Sequence, residues 1–137
     1  MNLNLNIHTD GGSRGNPGPA AVGVVIKESS GKLIHQFGKV IGKATNNIAE
    51  YQGVVAALEY LLEQNLKLGA IHFFLDSTLV VNQLSGLWKI KDTNLKGKVI
   101  KVRELEGALN CPINYTAIPR EKNSQADLLV NQALDNH

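Results

Sequence analysis

The chain has 137 residues, 43% of them hydrophobic, and a formal net charge of +2, which suits one domain (residues 1–137) and excludes a disordered or collagen-like protein. The single cysteine excludes an internal disulfide and a cysteine-rich zinc site. The N-terminus lacks a signal-peptide pattern and no apolar run approaches ~18 residues, so we expect a cytoplasmic protein without a membrane segment.

Apolar periodicity predicts nine elements in the order β-β-β-α-β-α-α-β-α. The predicted strands are residues 2–9, 20–27, 32–41, 71–75 and 112–118. The predicted helices begin at residues 45–47, 76–78, 95 and 123–124, and the second and third end near residues 85 and 109. Three antiparallel strands followed by alternating strands and helices indicate an α/β fold, in which helices cover a mixed sheet.

Four acidic residues lie where predicted strands end or predicted helices begin. Asp10 ends the first strand, before a loop of four glycines and two prolines. Asp76 directly follows the fourth strand, and Glu50 and Asp127 lie in the first turns of helices. Strand ends and helix starts can converge on one edge of a mixed sheet, which would bring four carboxylates together.

Each acidic residue also has a purely structural interpretation. The first aspartate would form an Asp-Gly turn, and Asp76 would cap a helix. Glu50 and Asp127 lie three residues after Asn47 and Ser124, which is the spacing of a capping box. Four convergent carboxylates, in contrast, need a cation to stay ionised together, and oxygen ligands favour Mg²⁺ or Mn²⁺. Two such ions can hydrolyse a phosphodiester.

Basic residues outnumber the acidic residues outside this set. Of the 12 acidic residues, eight remain when the four candidate ligands are set aside, against 14 basic ones. Six of the basic residues lie between residues 89 and 103. This distribution fits a polyanionic partner, and a solvated helix face is the alternative.

Four short motifs follow one another at specific intervals: Thr9–Gly12 with Arg14–Pro19, Thr45–Tyr51, Leu75–Ser77 and Ile118–Asp127. Together they resemble type 1 ribonuclease H over nearly the whole chain. The resemblance implies a five-stranded mixed sheet flanked by helices. It also implies endonucleolytic hydrolysis of the RNA strand of RNA–DNA hybrids with two Mg²⁺ ions, which Mn²⁺ can replace, leaving 3′-hydroxyl and 5′-phosphate ends.

The resemblance also assigns roles to individual residues. The implied metal ligands and catalytic residues are Asp10, Glu50, Asp76 and Asp127. The implied substrate contacts are Gly11, Asn16, Asn46, Asn47, Gln52 and Ser77. The loop before Asp127 lacks the histidine that many members carry, as in a compact archaeal and bacterial subgroup. Arg120 is the candidate catalytic replacement, and an ordinary loop arginine is the alternative.

Several alternatives stay open at this point. The chain could be a broader nuclease that also cuts double-stranded RNA, or a non-catalytic module that binds hybrids. A magnesium phosphatase with Asp10 as nucleophile is disfavoured by the glycine at position 12. Trp88 belongs either to the core or to a stacking surface. We expect His8 to be packed or solvated beside a helix rather than to catalyse. We expect a monomer that does not bind membranes.

Overall fold

The computed structural model describes residues 2–137, which contain one five-stranded sheet. The strands are β1 (Leu3–Ser13), β2 (Gly18–Glu28), β3 (Leu33–Ala44), β4 (Leu68–Leu75) and β5 (Ile113–Ala117). Their spatial order is β3-β2-β1-β4-β5. The β1–β2 and β2–β3 pairs are antiparallel, and the β1–β4 and β4–β5 pairs are parallel. The predicted mixed sheet is therefore confirmed.

Helices lie on both faces of this sheet. Within residues 2–137 they are α1 (Asn46–Gln64), α2 (Thr78–Leu84), α3 (Thr93–Leu109) and α4 (Ser124–Asp135), with a 3₁₀ turn at Arg120–Asn123. Helix α1 packs on β1 and α3, whereas α4 packs on β2 and β3. The predicted order of elements along the chain is confirmed. In the described part of the chain, each helix is too short or too polar to cross a membrane.

The hydrophobic core lies largely between α1 and the sheet. Its fully buried side chains include Leu5, Ile7, Val24, Leu58 and Phe73. The buried residues alternate along the strands, as Leu5 and Ile7 do in β1. Helix α1 adds buried side chains at three- and four-residue spacing: Tyr51, Val54, Leu58 and Leu61. This is the pattern expected when a sheet face packs on a helix. The polar ends of β1 and β4 and the start of α1 are left at one edge of this core.

A glycine allows α4 to lie directly against β2. A Cβ atom built on Gly23 would lie 2.1 Å from the carbonyl oxygen of Ala126 in α4. Because a side chain at this position would collide with the helix backbone, only glycine permits the contact. The next residue of α4 is Asp127, so this contact also determines the position of the Asp127 backbone relative to the sheet.

The end of β1 differs from the prediction. The strand continues past Asp10 to Ser13, because β1 pairs with β2 as far as the Ser13–Ala20 pair. Asp10 therefore lies inside a strand, and the interpretation of Asp10 as a turn residue is wrong. The glycines that follow it are partly strand residues rather than a free loop.

The caps of α1 and α2 are hydroxyl side chains within the predicted helix starts, and the two acidic residues there do not act as caps. Thr45 caps α1 by accepting a hydrogen bond from the Ile48 N–H, so Glu50 forms no capping box with Asn47. Ser77, and not Asp76, caps α2. In both helices a neighbouring hydroxyl serves as the cap, which leaves the carboxylate for other contacts.

Candidate metal centre and substrate cleft

Three of the four predicted acidic residues meet beside the central strand. Asp10 lies in β1 and Asp76 directly after β4, whereas Glu50 lies in the second turn of α1 rather than in the predicted first turn. One carboxylate oxygen from each lies within 4.8 Å of the other two. Because β1 and β4 are neighbours and α1 packs across β1, the fold joins acidic residues that are far apart in sequence.

Gly11 lets α1 approach β1 closely enough for Glu50 to reach the cluster. A Cβ atom at Gly11 would lie 2.0 Å from the Ala49 carbonyl oxygen, so a larger residue would push the helix away. The Gly11 N–H donates a hydrogen bond to Glu50 Oε1 at 3.4 Å. The resemblance implies that Gly11 contacts substrate. In the structure, its N–H is instead engaged by the Glu50 carboxylate.

Burial makes the cluster electrostatically unusual. Asp10 and Glu50 expose only 7% and 8% of their surface. Burial, together with the charges of Asp76 and Asp127, raises the pKa of Asp10 to about 6, although hydrogen bonds to Glu50 and Gly11 oppose the shift. Burial and the charge of Asp10 raise the pKa of Glu50 well above its usual range. The protein alone therefore disfavours full ionisation of the cluster.

The donor set fits a hard divalent cation. All three contributed atoms are carboxylate oxygens, which suit Mg²⁺ or Mn²⁺ better than Zn²⁺. Glu50 Oε2 is buried and has no hydrogen-bond partner within residues 2–137. An unsatisfied buried acceptor is costly, and a cation would both satisfy it and offset the repulsion between the carboxylates.

Asp127 lies at the same cleft but outside the tight cluster. The cleft has a volume of about 420 Å³, and Asp10, Glu50, Asp76, Asp127 and Arg120 all line it. Arg120 Nη2 lies 4.0 Å from Asp127 Oδ1, and the Arg120 side chain is 83% exposed. The guanidinium is thus exposed at the cleft and only loosely paired with Asp127.

Three predicted substrate amides have their oxygens engaged inside the protein. Asn46 Oδ1 accepts from the Ser13 N–H at 3.0 Å, and Asn16 Oδ1 accepts from the Asn46 N–H at 3.0 Å. Gln52 Oε1 accepts from Lys98 Nζ at 2.8 Å. Because each oxygen is occupied, the NH₂ group is left to donate to a ligand.

The remaining predictions on individual side chains have mixed outcomes. Asn47 is exposed at the start of α1, whereas the Ser77 hydroxyl accepts from the Val80 N–H at 3.2 Å. Trp88 is 49% exposed, so it is not a core residue. His8 packs as expected, stacked on Phe74 with 5.0 Å between the ring centroids.

No pattern in the sequence indicates that Asn123 contacts the acidic site. Asn123 belongs to the Ile118–Asp127 motif, and the sequence otherwise predicts it only as a possible start of the last helix. In the structure it is 1% exposed and donates a hydrogen bond to Asp76. An asparagine beside a helix start is ordinary in sequence, so only the tertiary contact reveals its position.

Known proteins resemble this chain along most of its length. The Reverse transcriptase-like family model matches residues 8–133. The bifunctional protein Rv2228c of Mycobacterium tuberculosis is 42% identical over 132 residues, which cover 94% of this chain and 35% of that protein. The chain thus spans about a third of the length of this mycobacterial relative.

Two solved structures share the fold at similar identity. RNase H1 from Halobacterium salinarum NRC-1 is 41% identical with a TM-score of 0.91, covering 98% of this chain and 99% of that one. LC11-RNase H1 in complex with an RNA/DNA hybrid is 41% identical with a TM-score of 0.92, covering 96% of this chain and 97% of that one. The chain therefore belongs to the reverse transcriptase-like family and, within it, to the type 1 ribonucleases H.

Proposed function

We propose that this chain is a metal-dependent endonuclease that hydrolyses the RNA strand of RNA–DNA hybrids. The observation that carries the proposal is the meeting of the Asp10, Glu50 and Asp76 carboxylates within 4.8 Å in an open cleft. The hybrid bound in the LC11-RNase H1 structure supports the choice of substrate. The products would carry 3′-hydroxyl and 5′-phosphate ends.

The proposed cofactor is a pair of Mg²⁺ ions, with Mn²⁺ as a substitute. Asp10, Glu50 and Asp76 would hold them, and Asp127, which also lines the cleft, would contribute a fourth carboxylate. When bound, such ions lower the pKa of a water molecule and stabilise the leaving 3′ oxygen. The protein positions Glu50 through its hydrogen bond with the Gly11 N–H. Burial raises the pKa of Glu50, so a bound cation would favour the ionised carboxylate.

The substrate surface would consist largely of hydrogen-bond donors. Asn16, Asn46 and Gln52 each present an NH₂ group whose partner oxygen is already bound within the protein. Phosphate, ribose and 2′-hydroxyl oxygens are acceptors, and RNA is recognised mainly through them. Asn47 and Ser77 complete the proposed contact set, whereas Gly11 contributes through close packing.

Arg120 is proposed to contact a phosphate near the scissile bond. Its side chain lines the cleft and its guanidinium is only loosely paired with Asp127. Arginine donates two parallel hydrogen bonds to phosphate, which suits this position. We expect Arg120→Ala to lower kcat/KM on the hybrid by about tenfold, and an unchanged value would return Arg120 to the status of an ordinary loop residue.

A cleavage assay on a hybrid with a labelled RNA strand tests the proposed activity. We expect internal cuts that require Mg²⁺ or Mn²⁺ and that fall by at least about a thousandfold in Asp10→Asn and Asp76→Asn. Glu104→Gln is the matched control, because Glu104 is an exposed acidic residue of α3 that does not line the cleft. Wild-type turnover in either cluster variant would contradict the proposal, and binding without cleavage by the wild type would favour a non-catalytic module.

Other properties stay predictions. Cleavage of double-stranded RNA is tested by offering both duplexes at equal concentration in the same assay. The monomeric state, the cytoplasmic location and the organisation of residues 1–137 as a single catalytic domain also stay predictions.

A further inference from the structure

A single buried amide joins three of the elements that carry the acidic residues. Asn123 lies just before α4, which carries Asp127. Its Nδ2 group donates to the Thr9 carbonyl oxygen at 2.9 Å, next to Asp10 in β1. The same group donates to Asp76 Oδ2 at 3.2 Å, directly after β4.

The contact lies where the sheet no longer holds these two strands together. Parallel pairing of β1 and β4 ends at the His8–Phe74 pair, just before Thr9 and two residues before Asp76. Beyond that pair the Asn123 side chain provides a link between the strands. The relative position of Asp10 and Asp76 therefore depends on this amide as well as on the sheet.

The orientation of the amide is determined by its partners. Both neighbours are acceptors, so a flipped amide would turn its oxygen towards a carbonyl and a carboxylate. In the described part of the chain, Asn123 makes no side-chain cap bond to α4, and its Oδ1 is buried without a partner. The Asn123 side chain therefore donates to Thr9 and Asp76, although it makes no helix-cap hydrogen bond and its oxygen has no partner.

We propose that Asn123 is a positioning residue for Asp76. It holds one carboxylate oxygen of Asp76 so that the carboxylate stays directed at Asp10 and Glu50. This inference rests on the proposed metal-dependent function, and it adds a residue that contacts neither the metal nor the substrate. The hydrogen-bond donor at this position must be uncharged, as the Asn123 amide is. A lysine or arginine here would offset the negative charge that attracts a cation.

Mg²⁺ binding without substrate is the decisive measurement. Isothermal titration calorimetry on the intact protein should show that Asn123→Ala weakens Mg²⁺ binding by about tenfold or more. On the hybrid, kcat should fall by a similar factor at fixed Mg²⁺, whereas KM should stay within about twofold. Mg²⁺ affinity and kcat equal to those of the wild type would overturn the proposal.

A double-mutant cycle separates positioning from general stability. If Asn123 acts through Asp76, adding Asn123→Ala to Asp76→Asn should cause no further loss of Mg²⁺ affinity, whereas an additive loss would contradict the proposal. Tyr115→Phe is the control for a lost buried hydrogen bond, because it removes the 2.6 Å contact to Glu106 outside the cleft. This control should lower the Tm without changing Mg²⁺ affinity.

The remaining outcomes are also decisive. If Asn123→Ala does not fold, Asn123→Ser replaces it, and wild-type Mg²⁺ affinity in that variant would overturn the role of Asn123. If Asp76→Asn binds Mg²⁺ like the wild type, the proposed metal site itself is wrong. If Asp76→Asn loses Mg²⁺ and Asn123→Ala retains it, only the role of Asn123 is wrong.

Discussion

At the level of single residues, ionised carboxylates in the acidic cluster lower the stability of the metal-free protein. The pKa of Asp10, about 6, lies above the 3.8 of an ordinary aspartate, so the folded state binds a proton more tightly than the unfolded state. The stabilising contribution of the protonated form is complete below about pH 4 and is lost as the pH rises through about 6. Near neutral pH the ionised carboxylate therefore destabilises the metal-free protein.

We expect Asp10→Asn to stabilise the metal-free protein near neutral pH by about 1 to 3 kcal/mol, because the amide carries no buried charge. Thermal unfolding in EDTA at several pH values measures the effect. The difference in Tm between Asp10→Asn and the wild type should become smaller towards pH 4. Near neutral pH, Mg²⁺ should also reduce this Tm difference, because it stabilises only the wild type. Equal Tm values across the pH range would contradict the raised pKa of Asp10.

At the scale of elements, the site depends on how closely α1 lies on β1. Gly11→Ala would place a Cβ atom 2.0 Å from the Ala49 carbonyl oxygen, so α1 and Glu50 must move. We expect a loss of about 3 kcal/mol in the free energy of unfolding and at least about a tenfold loss of kcat. Denaturant titration and the cleavage assay measure the two effects.

A second glycine in an open position is the control for this substitution. Gly97 lies in α3, and a Cβ atom there meets nothing within 4 Å among residues 2–137. Gly97→Ala should therefore stabilise the protein by about 0.5 to 1 kcal/mol and leave kcat unchanged. If both alanine variants behaved alike, close packing at Gly11 would not explain its effect.

At the scale of the whole molecule, basic residues outside the acidic cluster should control affinity for a polyanion. Lys89 is exposed, and its carbonyl oxygen accepts a hydrogen bond from Gln83 Nε2 at 3.4 Å. If Lys89 contacts a phosphate, Lys89→Ala should reduce the slope of log affinity against log salt by about one. Lys32→Ala in the β2–β3 turn is the charge-matched control. The slopes are measured by hybrid binding in an Asp10→Asn background, which we expect not to cleave the hybrid. Equal slopes for both lysine variants would exclude Lys89 as a phosphate contact.

The order of elements, the mixed sheet and the acidic residues that line the cleft could all be predicted from the sequence. Alternating apolar residues along β1 and helical spacing along α1 are local properties, so they could be identified without a structure. Four acidic motifs in a specific order also sufficed to indicate the family. Element boundaries were less accurate, because the pairing of β1 with β2 extends the strand past Asp10.

Which side chains meet in the site depends on long-range packing and could not be predicted from the sequence. It brings Asp10, Glu50 and Asp76 within 4.8 Å and leaves Asp127 outside that group. It engages the Gly11 N–H with a glutamate 39 residues away, and it joins Asn123 to a carbonyl 114 residues away. Contacts of this kind depend on how helices pack on strands. The contact at Gly11 requires the absence of a Cβ atom, because α1 lies directly against it. The contact of Asn123 requires that the β1–β4 pairing end before Thr9.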